Sequence, residues 1–323
     1  MYPSSTQKRH WTFTNRDEIR ALRQKANDEY RHKIQLNGSD PEIEASLLNV
    51  DDEELFLKIV TEPGIRFGET FRPSMWPSVR WIAFAYFKRF YLRYAPMEYS
   101  PKVIIQACYY LATKIDEFNV SIDEFVANLQ KGSAKENAEQ ILKWEPIIIH
   151  RLDYQLTIHC PFRPFEGHVM ELKNHGMLGF DLEAIRPYAN EFFRVIRSFC
   201  RVNFCLRSVC MAIQCSSTLQ LILHWLLYPT VWISKISDIF REHIFRLCQV
   251  DTWKPSAENL TLADKLMLRV EEIRQLVEEQ SVGVTPAQKT ELQKKMERFS
   301  GIPDRVKPSN QQDDQGPVDS DDE

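Results

Sequence analysis

Glycine is scarce in this chain, at 10 of 323 residues. So little glycine leaves no loop able to cradle nucleotide phosphates with its backbone amides. HExxH, GxSxG and the kinase catalytic signatures are also missing, and the eight histidines are scattered without pattern. Excess charge of either sign is small, with a net charge of −4, so the basic stripe of a nucleic-acid binder is not there. Lys8 and Arg9, beside His10 and Trp11, are too few for phosphate binding. Trp11 and Phe13 are expected to pack onto a helical body instead. The N-terminal MYPSSTQKRHWTF has no apolar run of signal-peptide length.

From Arg207 to Lys235 no charged side chain intervenes. A membrane-spanning helix needs about 20 apolar residues. Gln214, Ser216, Ser217, Thr218, Gln220 and His224 interrupt this stretch and Pro229 ends it, which favours two buried core helices. The seven cysteines sit in apolar surroundings, as in a reducing compartment, and the cytosol or nucleus is the expected location. Cys200, Cys205, Cys210 and Cys215 are evenly spaced. Five-residue steps on a helix turn by about 140° each, so the four cannot converge on one metal ion. No metal or other cofactor is expected.

What the chain does contain is helical pattern. Hydrophobic residues make up 43% and charged residues 27%, enough for a sizeable core. Asp17, three residues after Thr14, suggests a capping box for a charged helix over about 15–33, with Ile19, Leu22, Ala26 and Tyr30 on one stripe. Turn signals in 35–50 make a connector. Five helices then follow within about a hundred residues. The first starts near Asp51, with Pro63-Gly64 expected to break or kink it. The second has Pro77 in its first turn, and the third opens at Ser100-Pro101. The fourth is capped by Ser121 and Glu124, and the fifth covers about 134–152. The second and third are apolar nearly all round, so they are core helices, with the third as hub. A proline-rich connector, CPFRPFEG, precedes a second helical region over about 181–248. Helices at about 261–280 and 286–299 follow, the latter introduced by Thr285-Pro286. The acidic end, QQDDQGPVDSDDE, is read as a disordered tail. Within it Ser320 could accept phosphate from an acid-directed kinase, against the plain reading of a solvated tail.

Lys114 closes a very apolar helix, where a cation favours the dipole, and Glu145 interrupts another. Such charges need partners, and each could serve the other as an internal ion pair.

The stretch SVRWIAFAYFKRFYLRYAPMEYSPKVIIQACYYLATKIDEFNVSIDEF, with ILKWEPIIIHRLDYQL further on, resembles the core of a cyclin box. SSTQKRHWTF, YFKRFYL, MEYSP, KIDEFNVS and PFRPFEG resemble the H branch of the cyclin family in particular. The resemblance covers residues 4 to 167, about half the chain. It implies an all-α fold of two five-helix cyclin boxes with added N- and C-terminal helices. The implied division is 1–50 for an N-terminal segment and helix, 51–160 for the first box and 161–255 for a diverged second box. C-terminal helices would occupy 256–300 and the acidic tail 301–323.

The resemblance further implies a nuclear, non-catalytic subunit that binds and activates a cyclin-dependent kinase. That kinase would be the catalytic subunit of the CDK-activating kinase, assembled with a RING-finger factor and the TFIIH core. Its substrates would be CDK activation loops and the RNA polymerase II C-terminal repeat. No direct nucleic-acid or membrane partner is implied. Lys114 and Glu145 match the family's kinase-contacting pair, and Tyr154 and Leu156 match apolar contacts. Glu117, with Asp116, lies near the expected contact edge, against the plainer reading that both are simply solvated. For Tyr154 the plain alternative is packing at the domain linker.

The sequence departs from cell-cycle cyclins where DDEELFLKIV replaces their substrate-docking patch. It departs again at Leu206-Arg207-Ser208, in place of a Pro-Ser helix start, and in the apolar region 219–234. Two other classes stay open: a cyclin-fold transcription factor that binds nucleic acid, and a helical scaffold without kinase activation.

Overall fold

The computed structural model describes residues 4–13, 16–37, 44, 46–174, 186–187, 190, 193–194 and 284–300. Beyond 174 the expected second box, but for 186–187, 190 and 193–194, lies outside them, as do the helix at 261–280, the uncharged stretch 207–235, the four evenly spaced cysteines, Thr14 and the tail with Ser320. The chain divides into two compact units, one of Asp17–Leu156 with Val284–Glu323, the other of Met1–Arg16 with Thr157–Gly283. The elements are α1 (Thr6–His10), α2 (Arg16–Leu36), α3 (Val50–Thr70), α4 (Pro77–Phe90), α5 (Pro101–Ile115), α6 (Ile122–Ala127), α7 (Ala134–Arg151), α8 (Phe162–Asn174) and α9 (Pro286–Ser300). Among the described residues no helix is long and apolar enough to cross a membrane.

Local signals set most helix starts. Asn49 caps α3 reciprocally with Asp52, and Ser121 caps α6 reciprocally with Glu124. Proline opens α4 and α5, where its missing N–H costs nothing. Helix α5 is the hub of its unit and packs against α4, α7 and α3. Ala107, Cys108, Tyr109 and Ala112 on it have no exposed surface, and burial drives the Cys108 thiol well above its usual range.

Pro63-Gly64 does not break α3, which runs unbroken from Val50 to Thr70. Proline inside a helix removes one backbone hydrogen bond. Here the neighbouring Gly64 carbonyl accepts a hydrogen bond from the Tyr109 hydroxyl on α5, at 2.9 Å. A Cβ on Gly64 would lie 3.2 Å from Ile105, and one on Gly68 would lie 2.5 Å from the Tyr109 hydroxyl oxygen. The Pro-Gly pair therefore sits where α3 and α5 approach closely, and tertiary contact overrides the local helix-breaking preference.

Two outlying helices complete this unit. Helix α2 is held through Asn27, which donates to the Leu48 carbonyl at 2.9 Å. Arg31 donates to the carbonyls of Leu47 and Leu48. Tyr30 and Ile34 pack with Leu47, Ala95 and Met97. Buried beside them, Glu53 has one carboxylate oxygen without a hydrogen-bond partner. Burial pushes its carboxyl up to about 7, against the opposing Asn27 hydrogen bond and the charges of Arg23 and Arg31. Helix α9 packs on α3. Leu292 on α9 is buried, and Lys295 donates to both Asp52 carboxylate oxygens, at 3.0 and 2.9 Å.

In the other unit Trp11 is buried, and the Gln7 side-chain oxygen accepts from the His159 backbone N–H at 2.7 Å. The PFRPFEG segment, expected as a connector, is helical from Phe162 on and forms the first turns of α8. Pro164 is the third residue of that helix, where the backbone N–H has no intrahelical acceptor in any case.

Candidate functional site

Two helix C-termini and the turns that follow them carry the expected site. Lys114 is the penultimate residue of α5, and Glu145 lies inside α7 just before Pro146. The Lys114 Nζ stands 2.7 Å from Glu145 Oε1 and donates to Oε2 at 2.8 Å. It also lies 4.6 Å from the centroid of the Tyr110 ring. The two partners differ in environment: the Lys114 side chain is 48% exposed and that of Glu145 only 10%. Desolvation makes an uncompensated Glu145 carboxylate costly, so Lys114 stabilises it while keeping a solvent-facing side of its own. The internal ion pair is therefore real, and half of it remains open to a further partner.

Large apolar side chains lie close by in sequence. Ile115 follows Lys114 and is exposed, as is Leu142, one helical turn before Glu145 on the same face of α7. Neither stood out in the sequence, because exposure of an apolar side chain leaves no mark on the periodicity of a helix that is partly buried.

Both helices end in the same device. After α5, the Phe118 N–H bonds the Thr113 carbonyl and the Glu117 N–H the Lys114 carbonyl. After α7, the Tyr154 N–H bonds the Ile149 carbonyl and the Asp153 N–H the His150 carbonyl. These are paired C-terminal caps in which the residue after the cap is left-handed, a place usually taken by glycine. Here carboxylate residues take it: Glu117 has φ 56° and Asp153 φ 53°. Tyr154 is left-handed as well, at φ 56°. A left-handed non-glycine residue costs roughly 1–2 kcal/mol.

Glu117 thus stands exposed on the first turn, and the adjacent Asp116 carboxylate accepts from the Ser78 hydroxyl at 2.5 Å. Tyr154 projects from the second turn with 71% of its surface exposed. Its ring meets that of His150 edge-on, with centroids 6.1 Å apart. Leu156 is half-buried, and its carbonyl accepts from the Tyr86 hydroxyl at 2.5 Å. Arg89 donates to the Gln155 carbonyl at 3.0 Å, and Arg93 to the Asp153 carboxylate at 2.5 Å. The fold brings Lys114 and Glu145 into direct contact. Tyr154 and Leu156 share one turn, and Glu117 belongs to the other. Tyr86, Arg89 and Arg93 were not foreseen, since nothing local ties them to a turn sixty or more residues away.

The arrangement offers a fixed ion pair with exposed apolar groups on the same helices and turns. Among the described residues no cluster of histidine, cysteine and carboxylate side chains could hold a metal ion.

Residues 72–157 match the family described as Cyclin, N-terminal domain. The chain is 39% identical over 194 residues to Cyclin-H of Xenopus laevis, a match covering 59% of this chain and 60% of that protein. It is 26% identical over 186 residues to a Putative cyclin-H of Dictyostelium discoideum, covering 58% and 62%. It is 29% identical over 181 residues to Cyclin mcs2 of Schizosaccharomyces pombe, covering 53% and 54%. The matches thus span less than two thirds of these relatives' own lengths. Among solved structures, a chain of the CAK complex of Chaetomium thermophilum bound to ATP-gamma-S superposes with a TM-score of 0.69 at 21% identity, over 100% of this chain and 97% of that one. A chain of the yeast TFIIK (Kin28/Ccl1/Tfb3) complex gives a TM-score of 0.58 at 18% identity, over 85% and 100%. Residues 72–157 therefore carry the cyclin N-terminal domain, and the chain shares the fold of these two solved chains.

Proposed function

We propose that this chain, which carries a cyclin N-terminal domain over residues 72–157, is the regulatory subunit of a cyclin-dependent kinase. The kinase is the catalytic subunit of a CDK-activating kinase, working in the nucleus with a RING-finger assembly factor and the TFIIH core. Its substrates are CDK activation loops and the RNA polymerase II C-terminal repeat. The chain itself carries out no chemistry.

One observation carries this reading. The Lys114–Glu145 pair joins α5 to α7 and keeps the Lys114 side chain half open, with Ile115, Leu142 and Tyr154 exposed nearby in sequence. A rigid face of this kind acts by differential binding. It holds the kinase's regulatory helix in the position that completes the Lys–Glu pair and metal-binding Asp of the kinase, and so shifts the kinase population toward its active conformer. The similarity to Cyclin-H of Xenopus laevis and to chains of the CAK and TFIIK complexes supports this choice of kinase.

The test is the activity of the purified catalytic subunit on a polymerase C-terminal repeat peptide, with and without this protein. Activity is expected to rise on addition and to fall again with Lys114→Ala in a still-folded protein. Truncating one partner of a desolvated pair at an interface costs about 2–5 kcal/mol, which puts the loss of affinity at thirtyfold or more. No complex and no activation, even with the RING subunit present, refutes the assignment.

A further inference from the structure

We propose that Tyr86, Arg89 and Arg93 are positioning residues for the kinase-docking turn, holding Tyr154 in a left-handed conformation from which its ring meets the kinase. The inference rests on the kinase-binding reading above and adds residues outside the expected contact set.

The turn is under conformational load. Asp153 and Tyr154 are consecutive non-glycine residues at φ 53° and 56°, and such pairs persist only where the surroundings over-determine them. The surroundings here are three tethers from α4 and the turn behind it. The buried Tyr86 hydroxyl donates to the Leu156 carbonyl. Arg89, also buried, donates to the Gln155 carbonyl. Arg93 pairs with the Asp153 carboxylate. Tyr86 and Arg89 are one helical turn apart, so they reach the same side of α4. Together the tethers grip residues 153, 155 and 156 and leave 154 between them with most of its side chain in solvent.

A purely structural turn has a simpler solution in glycine, and this one has instead a large exposed aromatic ring. Aromatic residues are the commonest anchors of protein interfaces. Presenting the ring in a pre-set geometry reduces the ordering cost of binding. The tethers therefore act on the partner through Tyr154 and not by direct contact.

A thermodynamic cycle on the full-length chain tests this, with affinity for the kinase catalytic subunit as readout. Tyr86→Phe removes one hydroxyl and leaves the ring; loss of one hydrogen bond of this kind should weaken binding about three- to tenfold. In a Tyr154→Ala background the same substitution should change affinity less than twofold. Arg93→Ala and Asp153→Asn, both on the exposed side of the turn, should each weaken binding and should not add to one another. An equal effect of Tyr86→Phe with and without Tyr154 would mean general damage to the fold and overturns the proposal. Lys114→Ala run in parallel separates the two ideas. If Lys114→Ala lowers affinity and the Tyr86, Arg93 and Tyr154 variants do not, the positioning role fails and the kinase reading stands. If no variant alters binding, both fail.

Discussion

Replacing Glu53 by glutamine should stabilise the packing of α2 on α3, and by an amount that grows with pH. Glu53 is buried at the start of α3 with one oxygen lacking a hydrogen-bond partner. Its carboxyl titrates near 7 instead of the ordinary 4.5, chiefly because burial disfavours the charge. A raised carboxyl binds its proton more tightly in the folded state. Its favourable contribution is complete below 4.5 and is lost as pH rises toward and through 7. Linkage then gives a penalty of about 1 kcal/mol at pH 5 and about 3 kcal/mol at pH 8. Glutamine has nearly the same shape, carries no charge and can still bond Asn27. Amide hydrogen exchange in α2 and the first turns of α3 reads the difference locally. Comparing variant with parent at each pH removes the intrinsic pH dependence of exchange. Protection should rise roughly a hundredfold at pH 8 and roughly fourfold at pH 5. A gain that is the same at both pH values, or a loss at pH 8, would show the carboxylate ionised and satisfied by Arg23 and Arg31, and would refute the reasoning.

Three smaller perturbations test the packing. Gly68→Ala would place a methyl 2.5 Å from the Tyr109 hydroxyl and should destabilise by about 1–3 kcal/mol in urea unfolding, with partial recovery on adding Tyr109→Phe. Asn49→Ala removes the reciprocal cap of α3 and should cost about 1 kcal/mol, seen as faster exchange in the first turn of α3 and not in α5. Lys295→Ala cuts the link to Asp52 and should speed proteolytic cleavage within 284–300. The Asp52 hydrogen bond holds the Lys295 ammonium above its usual range, so on the alkaline side the contact outlasts the titration of an ordinary lysine.

Where a signal is local, the sequence reads well. Pro77, Ser100-Pro101, Ser121 with Glu124, and Thr285-Pro286 each mark a helix start at or within a residue of where it occurs, because capping is decided within one turn. The hub role of α5 was legible too, since its small and apolar residues run nearly all the way round. The misreadings share a cause. Pro63-Gly64 and PFRPFEG were judged by intrinsic preference, while α3 is shaped by its approach to Tyr109, and the prolines of α8 fall in its first turn or before it. At the site, Lys114 and Glu145 stood out as charges in apolar helices. The left-handed Glu117, Asp153 and Tyr154 did not, because no glycine flags them, and their tethers come from residues distant in sequence.

The contact between Lys295 and Asp52 joins residues 243 positions apart. At bacterial to eukaryotic elongation rates the interval between their synthesis is on the order of ten to fifty seconds. Throughout it the start of α3 is made but α9 is not, and Leu48, Phe56, Met97 and Trp144, which line a groove with Met296 of α9, lack that wall. A nascent chain stalled before α9 therefore presents a sticky apolar edge on an otherwise finished helical body. The last described helix of this unit to leave the ribosome is the one that covers this edge, and chaperone demand should fall when residues 284–300 emerge.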